Sequence, residues 1–260
     1  MIPLYDAHNH LQDERLAKRI EAILADFPSL GIQQCVVNGT CENDWPAVQQ
    51  LAQRFQWVIP AFGLHPWFTK DRSAKWFDAL GRYVDETPRA TIGEIGLDRW
   101  IKDSDVADQE RVFVTQLELA AERNIAVSIH CLKAWGQLQD ALETNPRPAC
   151  GFLIHSFGGS AEIARSLAKL GAFFSFSGYF AHERKEGQRE VFKSIPLNRI
   201  LVETDAPDML PPPELIAHPN GDANDPRNLP KIYDFAANLF GVPLDKFAAQ
   251  VEANFKSLFS

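Results

Sequence analysis

Residues 199–205 read Arg199-Ile200-Leu201-Val202-Glu203-Thr204-Asp205, three consecutive strand-forming apolar residues that run into two carboxylates. An unbroken apolar run, unlike an alternating one, suits a strand covered on both faces, as in a parallel sheet. The same texture recurs at 4–8, 34–38, 58–63, 90–95, 126–130, 152–155 and 172–177, giving eight candidate strands with 199–203. Their starts lie roughly 20 to 36 residues apart, which is the length of one strand, one helix and two loops.

The intervening segments carry helical period. Leu16, Ile20, Ile23, Leu24 and Phe27 fall on one helix face, and Val112, Phe113, Leu117, Ala120 and Ala121 repeat the pattern. Ser160 is placed to cap a helix carrying Ile163, Leu167 and Leu170, with Gly171 to end it. A last helix presents Phe247, Val251, Phe255, Leu258 and Phe259 on one side. Eight βα units specify an α/β fold, expected as a closed (β/α)₈ TIM-type barrel, with an open doubly wound sheet as the alternative. No Pro/Gly/Ser-rich linker interrupts the chain, so residues 1–260 are expected to form a single domain. Residues 207–230 hold seven of the 17 prolines. A loop this long in a compact domain is either functional or a proline-stiffened connector.

The chain has 260 residues, with 26 basic against 34 acidic, a formal charge of −8. That balance excludes broad electrostatic wrapping of duplex DNA or coating of an anionic membrane, but leaves room for a local nucleic-acid cleft. Residues 1–10 show no basic-then-apolar leader, no stretch approaches a membrane span, and Cys35, Cys41, Cys131 and Cys150 form no CxxC pair. A cytoplasmic protein with reduced thiols, no membrane association and no obligate protein partner is the expectation.

Chemistry concentrates where the strands end. Five of the seven histidines, His8, His10, His65, His130 and His155, sit at or just after the C-terminal end of a candidate strand, as do Glu94 and Asp205. In a barrel those ends converge on one pocket. On a strand, positions i and i+2 point the same way, so His8 and His10 can grip one ion. A carboxylate in an apolar strand is costly unless paired or metal-bound, which singles out Glu94 and Asp205. His8, His10, Glu94, His130, His155 and Asp205 together make a metal site. Six ligands exceed one tetrahedral ion with an open position and match two divalent ions sharing a carboxylate. Zinc, manganese, magnesium or a similar ion fits, the nitrogen-rich set favouring the transition metals. No lysine ends the fourth strand, so Glu94 is the expected bridge. GxSxG, Walker A and GxGxxG motifs are absent. Cys131 adjoins His130 but should face the other way.

These residues resemble the TatD family of metal-dependent hydrolases, among the amidohydrolase-like metallo-barrels. The matching pieces are Asp6-Ala7-His8-Asn9-His10-Leu11, Gly63-Leu64-His65-Pro66, Gly93-Glu94-Ile95-Gly96-Leu97-Asp98, Ile129-His130, Ile154-His155-Ser156-Phe157-Gly158-Gly159-Ser160 and Val202-Glu203-Thr204-Asp205-Ala206-Pro207. Asn254-Phe255-Lys256-Ser257-Leu258-Phe259 is similar to the family's last helix. The resemblance implies a TIM-type barrel with a two-metal centre. His8, His10 and Asp205 would hold one ion, His130 and His155 the other, with Glu94 between. It also implies hydrolysis of DNA, often at single-stranded ends.

The chain departs from the family where substrate is expected. Trp67 follows Gly-x-His-Pro in place of a second histidine, and Leu132 and Lys133 stand where arginine and aspartate are usual. The family's Arg-Asn-Glu-Pro is read at Arg227-Asn228-Leu229-Pro230. The substrate-facing set is therefore expected to be His65, Trp67, Lys133 and Arg227. Asp205 would serve as ligand and proton acceptor, Glu94 as bridge, and Glu203 as a supporting partner. Two rival expectations stand beside the deoxyribonuclease: a hydrolase of a small phosphodiester, amide or lactone, and a non-catalytic metal-holding scaffold that docks through its proline-rich loop.

Overall fold

The computed structural model describes residues 1–102 and 105–260. Eight strands alternate with helices in chain order: β1 (Leu4–Asn9), β2 (Ile32–Asn38), β3 (Val58–Phe62), β4 (Thr91–Asp98), β5 (Val127–Leu132), β6 (Phe152–Ile154), β7 (Ala172–Ser177) and β8 (Ile200–Glu203). All neighbouring pairs are parallel, in the order β1 to β8. The ends of the sheet meet at the top of the barrel. The Asp205 amide donates to His8 O at 2.9 Å, and the His10 amide to Ala206 O at 2.8 Å. Asp6 accepts from the Thr204 amide at 2.9 Å and the Thr204 hydroxyl at 2.6 Å. The barrel expectation holds, and the open sheet does not.

The helices are α1 (Glu14–Ala17), α2 (Ile20–Leu30), α3 (Trp45–Arg54), α4 (Trp76–Glu86), α5 (Val106–Arg123), α6 (Trp135–Thr144), α7 (Ala161–Lys169), α8 (Glu186–Lys193), α9 (Leu229–Phe240) and α10 (Leu244–Phe259). Ser160 caps α7 by accepting from the Ile163 amide. The five apolar residues expected on the last helix are all buried in α10. Phe152, Phe157, Phe174, Phe176 and Phe192 are fully buried around β6 and β7, each contributing about 1.5–3 kcal/mol by leaving water. The first predicted helix divides. Leu16 lies in α1, whose cap Asp13 accepts from the Arg15 amide, and the chain restarts at Ile20. Arg15 ties this first turn to the loop after β8 through Asp208, at 2.8 and 2.9 Å.

β4 runs three residues past its expected end at Ile95. Gly96 reads as a breaker in sequence, yet at φ +152° it stays in the strand against His130 of β5. A Cβ there would lie 1.9 Å from His130 O. β6 stops at Ile154, one residue short of its expected end.

The proline-rich segment is packed down. The Asn224 amide donates to Pro207 O at 2.8 Å and its side chain to Thr204 O at 2.8 Å. Arg19 reaches across to Pro219 O at 2.9 Å. Among the described residues, no helix is long and apolar enough to cross a membrane.

Candidate metal centre

Each polar residue at the top of the barrel owes its place to a strand end. His8 lies within β1, and His10 just beyond it. His65 caps the short 3₁₀ turn Pro66–Asp71 that follows β3. Glu94 and Asp98 lie in β4, His130 in β5, His155 directly after β6, and Asp205 two residues after β8. Asp205, Ser156 and Lys133 hold left-handed backbone at φ 52°, 39° and 57° just past β8, β6 and β5. Non-glycine residues adopt that region only where their surroundings over-determine it, and such sites cluster at functional centres.

Glu94 is the hub. Its Oε2 lies 3.4 Å from His8 Nε2 and 3.4 Å from His10 Nε2. Its Oε1 lies 3.3 Å from His65 Nε2, 3.2 Å from His130 Nδ1 and 2.8 Å from His155 Nε2. Asp205 Oδ1 adds contacts of 3.6 Å to His8 and 3.5 Å to His10. Donor atoms of His8, His10 and Glu94 lie within 4.8 Å of one another, as do those of His8, His155 and Asp205, and those of His65, Glu94 and His130.

Hydrogen bonds on the outer ring nitrogens decide which inner ones are free. His10 Nδ1 meets Asn38 O at 2.8 Å, so it carries the proton and leaves Nε2 with a lone pair. His130 Nε2 meets Asp98 Oδ2 at 3.1 Å, which leaves Nδ1 as the inward lone pair. Outer carbonyl and carboxylate partners of this kind orient metal-ligating histidines. His130 Nδ1 stands 3.3 Å from His155 Nε2, and His8 Nε2 stands 3.3 Å from His10 Nε2. Each pair therefore needs either one shared proton or one cation between its inward nitrogens. Buried His8 Nδ1 and His155 Nδ1 have no hydrogen-bond partner. The donor set therefore fits divalent metal.

His65 differs. Its Nδ1 accepts from the Trp67 amide at 3.2 Å, so its Nε2 carries a proton toward Glu94. Geometry alone groups His65 with the ligands, but its tautomer makes it a donor.

Electrostatics follow the crowding. Burial pushes the Glu94 carboxyl up, yet the facing His155 and His65 outweigh it and hold it well below the usual carboxylate range. Burial pulls His8 and His65 down to about 4. Burial also opposes charge on His155, but Glu94 and Asp205 lift it to about 9. Burial raises Asp6 to about 6 and Glu203 to about 7. Glu203 accepts from the Ser156 hydroxyl at 2.6 Å and from its amide at 2.8 Å, supporting the turn that carries His155.

Asp98 and Asp6 support the centre without belonging to the expected site set. The available signal was period two: Asp98 shares strand parity with Glu94, and Asp6 with His8 and His10.

The six expected ligands come together; the four expected substrate residues do not. Five of the six ligands border a cleft of about 940 Å³ lined by His10, His65, Trp67, Glu94, His130, His155 and Asp205, among others. His65 and Trp67 are in it, and Trp67 Nε1 donates to Asp98 Oδ2 at 2.7 Å. Lys133 is not among the lining residues; its Nζ sits 3.8 Å from the centre of the Trp100 ring. Arg227 is buried away from the cleft. It binds Asp225 at 2.8 and 2.7 Å and Asp26 at 2.7 Å, so its charge is already met. The Asn-acid-Pro order is found four residues earlier than expected, as Asn224-Asp225-Pro226, with Asn224 seated against β8. Cys131 borders the cleft after all, but burial pushes its thiol up to about 12.

A family model described as TatD related DNase matches residues 5–260. The chain is 30% identical over 257 residues to the 3'-5' ssDNA/RNA exonuclease TatD of Shigella flexneri, covering 98% of both chains. It is 28% identical over 260 residues to a metal-dependent hydrolase, YabD, of Bacillus subtilis, again over 98% of each. Among solved structures it is similar to the TatD homolog YJJV of Escherichia coli, with TM-score 0.91, 26% identity and coverage of 98% and 97%. The TatD family hydrolase of Entamoeba histolytica shares the fold at TM-score 0.84 and 18% identity, covering 99% and 98%. With the match running from the first strand to the last helix, the chain belongs to the TatD related DNase family.

Proposed function

We propose that this chain is a metal-dependent phosphodiesterase acting on ends of single-stranded nucleic acid. One observation carries the reading: a single buried carboxylate, Glu94, faces five imidazoles at the floor of an open cleft. The exonuclease name of relatives 30% identical over nearly the whole chain supports the substrate class.

His8 Nε2, His10 Nε2 and Asp205 would hold one divalent ion, and His130 Nδ1 and His155 Nε2 a second, with Glu94 shared. Divalent ions in such a site supply a nucleophilic water at neutral pH and polarise the phosphoryl oxygen. Asp205, with a carboxyl kept ionised by its histidines despite burial, accepts the proton of the attacking water. His65 presents its Nε2–H to the oxygen on which negative charge grows. Asp98 and Asn38 O hold His130 and His10 in the tautomers that point lone pairs inward.

The test is hydrolysis of end-labelled single-stranded DNA and RNA beside chromogenic phosphodiester, amide and lactone substrates, after chelation and with magnesium, manganese or zinc restored. Metal-restored cleavage of the nucleic acids, abolished in Asp205→Ala, is expected. Undiminished activity in Asp205→Ala would sink the mechanism, and turnover of the amide or lactone alone would replace the substrate. Metal binding without any turnover would leave the scaffold.

A further inference from the structure

One wall of the cleft is apolar and exposed. Five large hydrophobic side chains are exposed among the described residues, and three of them stand at the ends of β3, β4 and β5: Trp67 at 59%, Trp100 at 65% and Leu132 at 38%. Trp67 and Leu132 line the cleft. Asp98 ties the wall together, accepting from Trp67 Nε1 at 2.7 Å on one oxygen and from the Trp100 amide at 2.7 Å on the other. The Trp67 indole is therefore fixed by its polar edge. A tryptophan left this open beside a metal cluster offers a large, rigid face at little cost in ordering.

The rest of the rim offers little to a phosphate chain. Asp13, Glu14, Asp44 and Asp208 line it, and Arg15 is the one lysine or arginine among the described lining residues. Arg15 is already held by Asp13 at 2.8 and 2.9 Å and by Asp208 at 2.8 and 2.9 Å. Lys133 lies over Trp100, and Arg227 is bound by Asp225 and Asp26. A strand tracking this surface would meet carboxylates, whereas a base would meet Trp67.

We infer, resting on the phosphodiesterase reading, that the cleft selects its substrate by stacking one terminal nucleobase on Trp67, flanked by Leu132, and engages few phosphates beyond the scissile one. The preferred substrates are then short single-stranded ends, down to a dinucleotide.

The metal-loaded protein, Trp67→Ala and Trp67→Phe are compared on a dinucleotide, a dodecanucleotide and a dodecanucleotide with an abasic terminus. The dinucleotide and the dodecanucleotide should have similar kcat/KM. Log KM should change with log salt with a slope below about 1, because each phosphate contact adds about 0.7 for single strands. Trp67→Ala should raise KM for base-bearing ends by about 5- to 150-fold, the usual worth of one stacked base. That loss should shrink on the abasic end, and Trp67→Phe, which keeps a ring but not the N–H to Asp98, should recover most of it. Equal losses of kcat in both variants on all three substrates would mean that Trp67 only holds Asp98, and would overturn the inference. A dodecanucleotide preferred by orders of magnitude, with a steep salt slope, would overturn it as well. No hydrolysis of any of the three by the wild type overturns the phosphodiesterase reading, and the inference with it.

Discussion

Replacing Asp98 by asparagine tests the tautomer logic of the centre with one atom changed. In the native site Asp98 Oδ2 accepts from His130 Nε2 at 3.1 Å and Trp67 Nε1 at 2.7 Å, while Oδ1 accepts from the Trp100 amide at 2.7 Å. An asparagine that keeps its oxygen toward Trp100 must turn its NH₂ toward His130. The NH₂ then donates to His130 Nε2, which moves the imidazole proton to Nδ1, the atom 3.2 Å from Glu94 Oε1 that should bind metal. The flipped amide sets donor against donor at Trp100 instead. Either way a charge-assisted hydrogen bond is lost, worth about 1.5–3 kcal/mol, or about 10- to 150-fold in an equilibrium constant. Metal titration by calorimetry should show metal binding weakened by that factor in Asp98→Asn, with the metal needed for half-maximal hydrolysis rising in step. Metal affinity equal to wild type would refute the assignment of His130 Nδ1 as a ligand held by Asp98.

Two further substitutions separate structural from functional readings. Arg227→Met strips a buried carboxylate, Asp225, of its close bidentate partner and leaves it only Arg19 at 4.0 Å. It should cost about 3–5 kcal/mol, seen as a melting temperature lower by about 6–20 °C. kcat/KM should be retained; a kinetic loss without a melting shift would return Arg227 to the substrate. Gly96→Ala places a Cβ 1.9 Å from His130 O at φ +152°. It should cost about 3 kcal/mol or more and weaken metal binding through the displaced His130, so a stable, fully active variant would show that β4 tolerates movement here.

The parts of the fold readable in sequence are those where one physical demand dominates. Ile200-Leu201-Val202 has to be buried on both faces, so it announces a parallel strand without help from its neighbours. Local punctuation misleads where tertiary contacts override it. Gly96 looks like the end of a strand but is required inside one, because His130 leaves no room for a side chain. Leu16 keeps helical phase with Ile20, yet Arg15 is pinned to Asp13 and Asp208, and the helix breaks between them. The site divides the same way. Strands of a barrel deliver their ends to one place, so His8, Glu94, His130 and Asp205 could be gathered from spacing alone. Loop residues obey whichever partner is nearer. Arg227 follows Asp225 by two positions, and that pair forms within its own turn rather than across the cleft.

The same local pairing bears on the charge of −8. Asp13, Glu14, Asp44, Glu94, Asp205 and Asp208 line the cleft against Arg15 among the described residues, a surface that repels a phosphodiester. Bound divalent ions would supply positive charge for an anionic substrate there, about four charges if two are held. Substrate and metal affinity are then coupled, and by thermodynamic reciprocity each must raise the other by the same factor, about 5- to 150-fold for couplings of ordinary size. A phosphorothioate dinucleotide that resists cleavage should tighten metal binding by that factor in calorimetry, and metal should tighten the dinucleotide equally. Metal affinity indifferent to the analogue would mean that the phosphate finds its counter-charge elsewhere. Arg15 would then have to leave Asp13 and Asp208 on binding, which makes Arg15→Met the variant that distinguishes the two sources of charge.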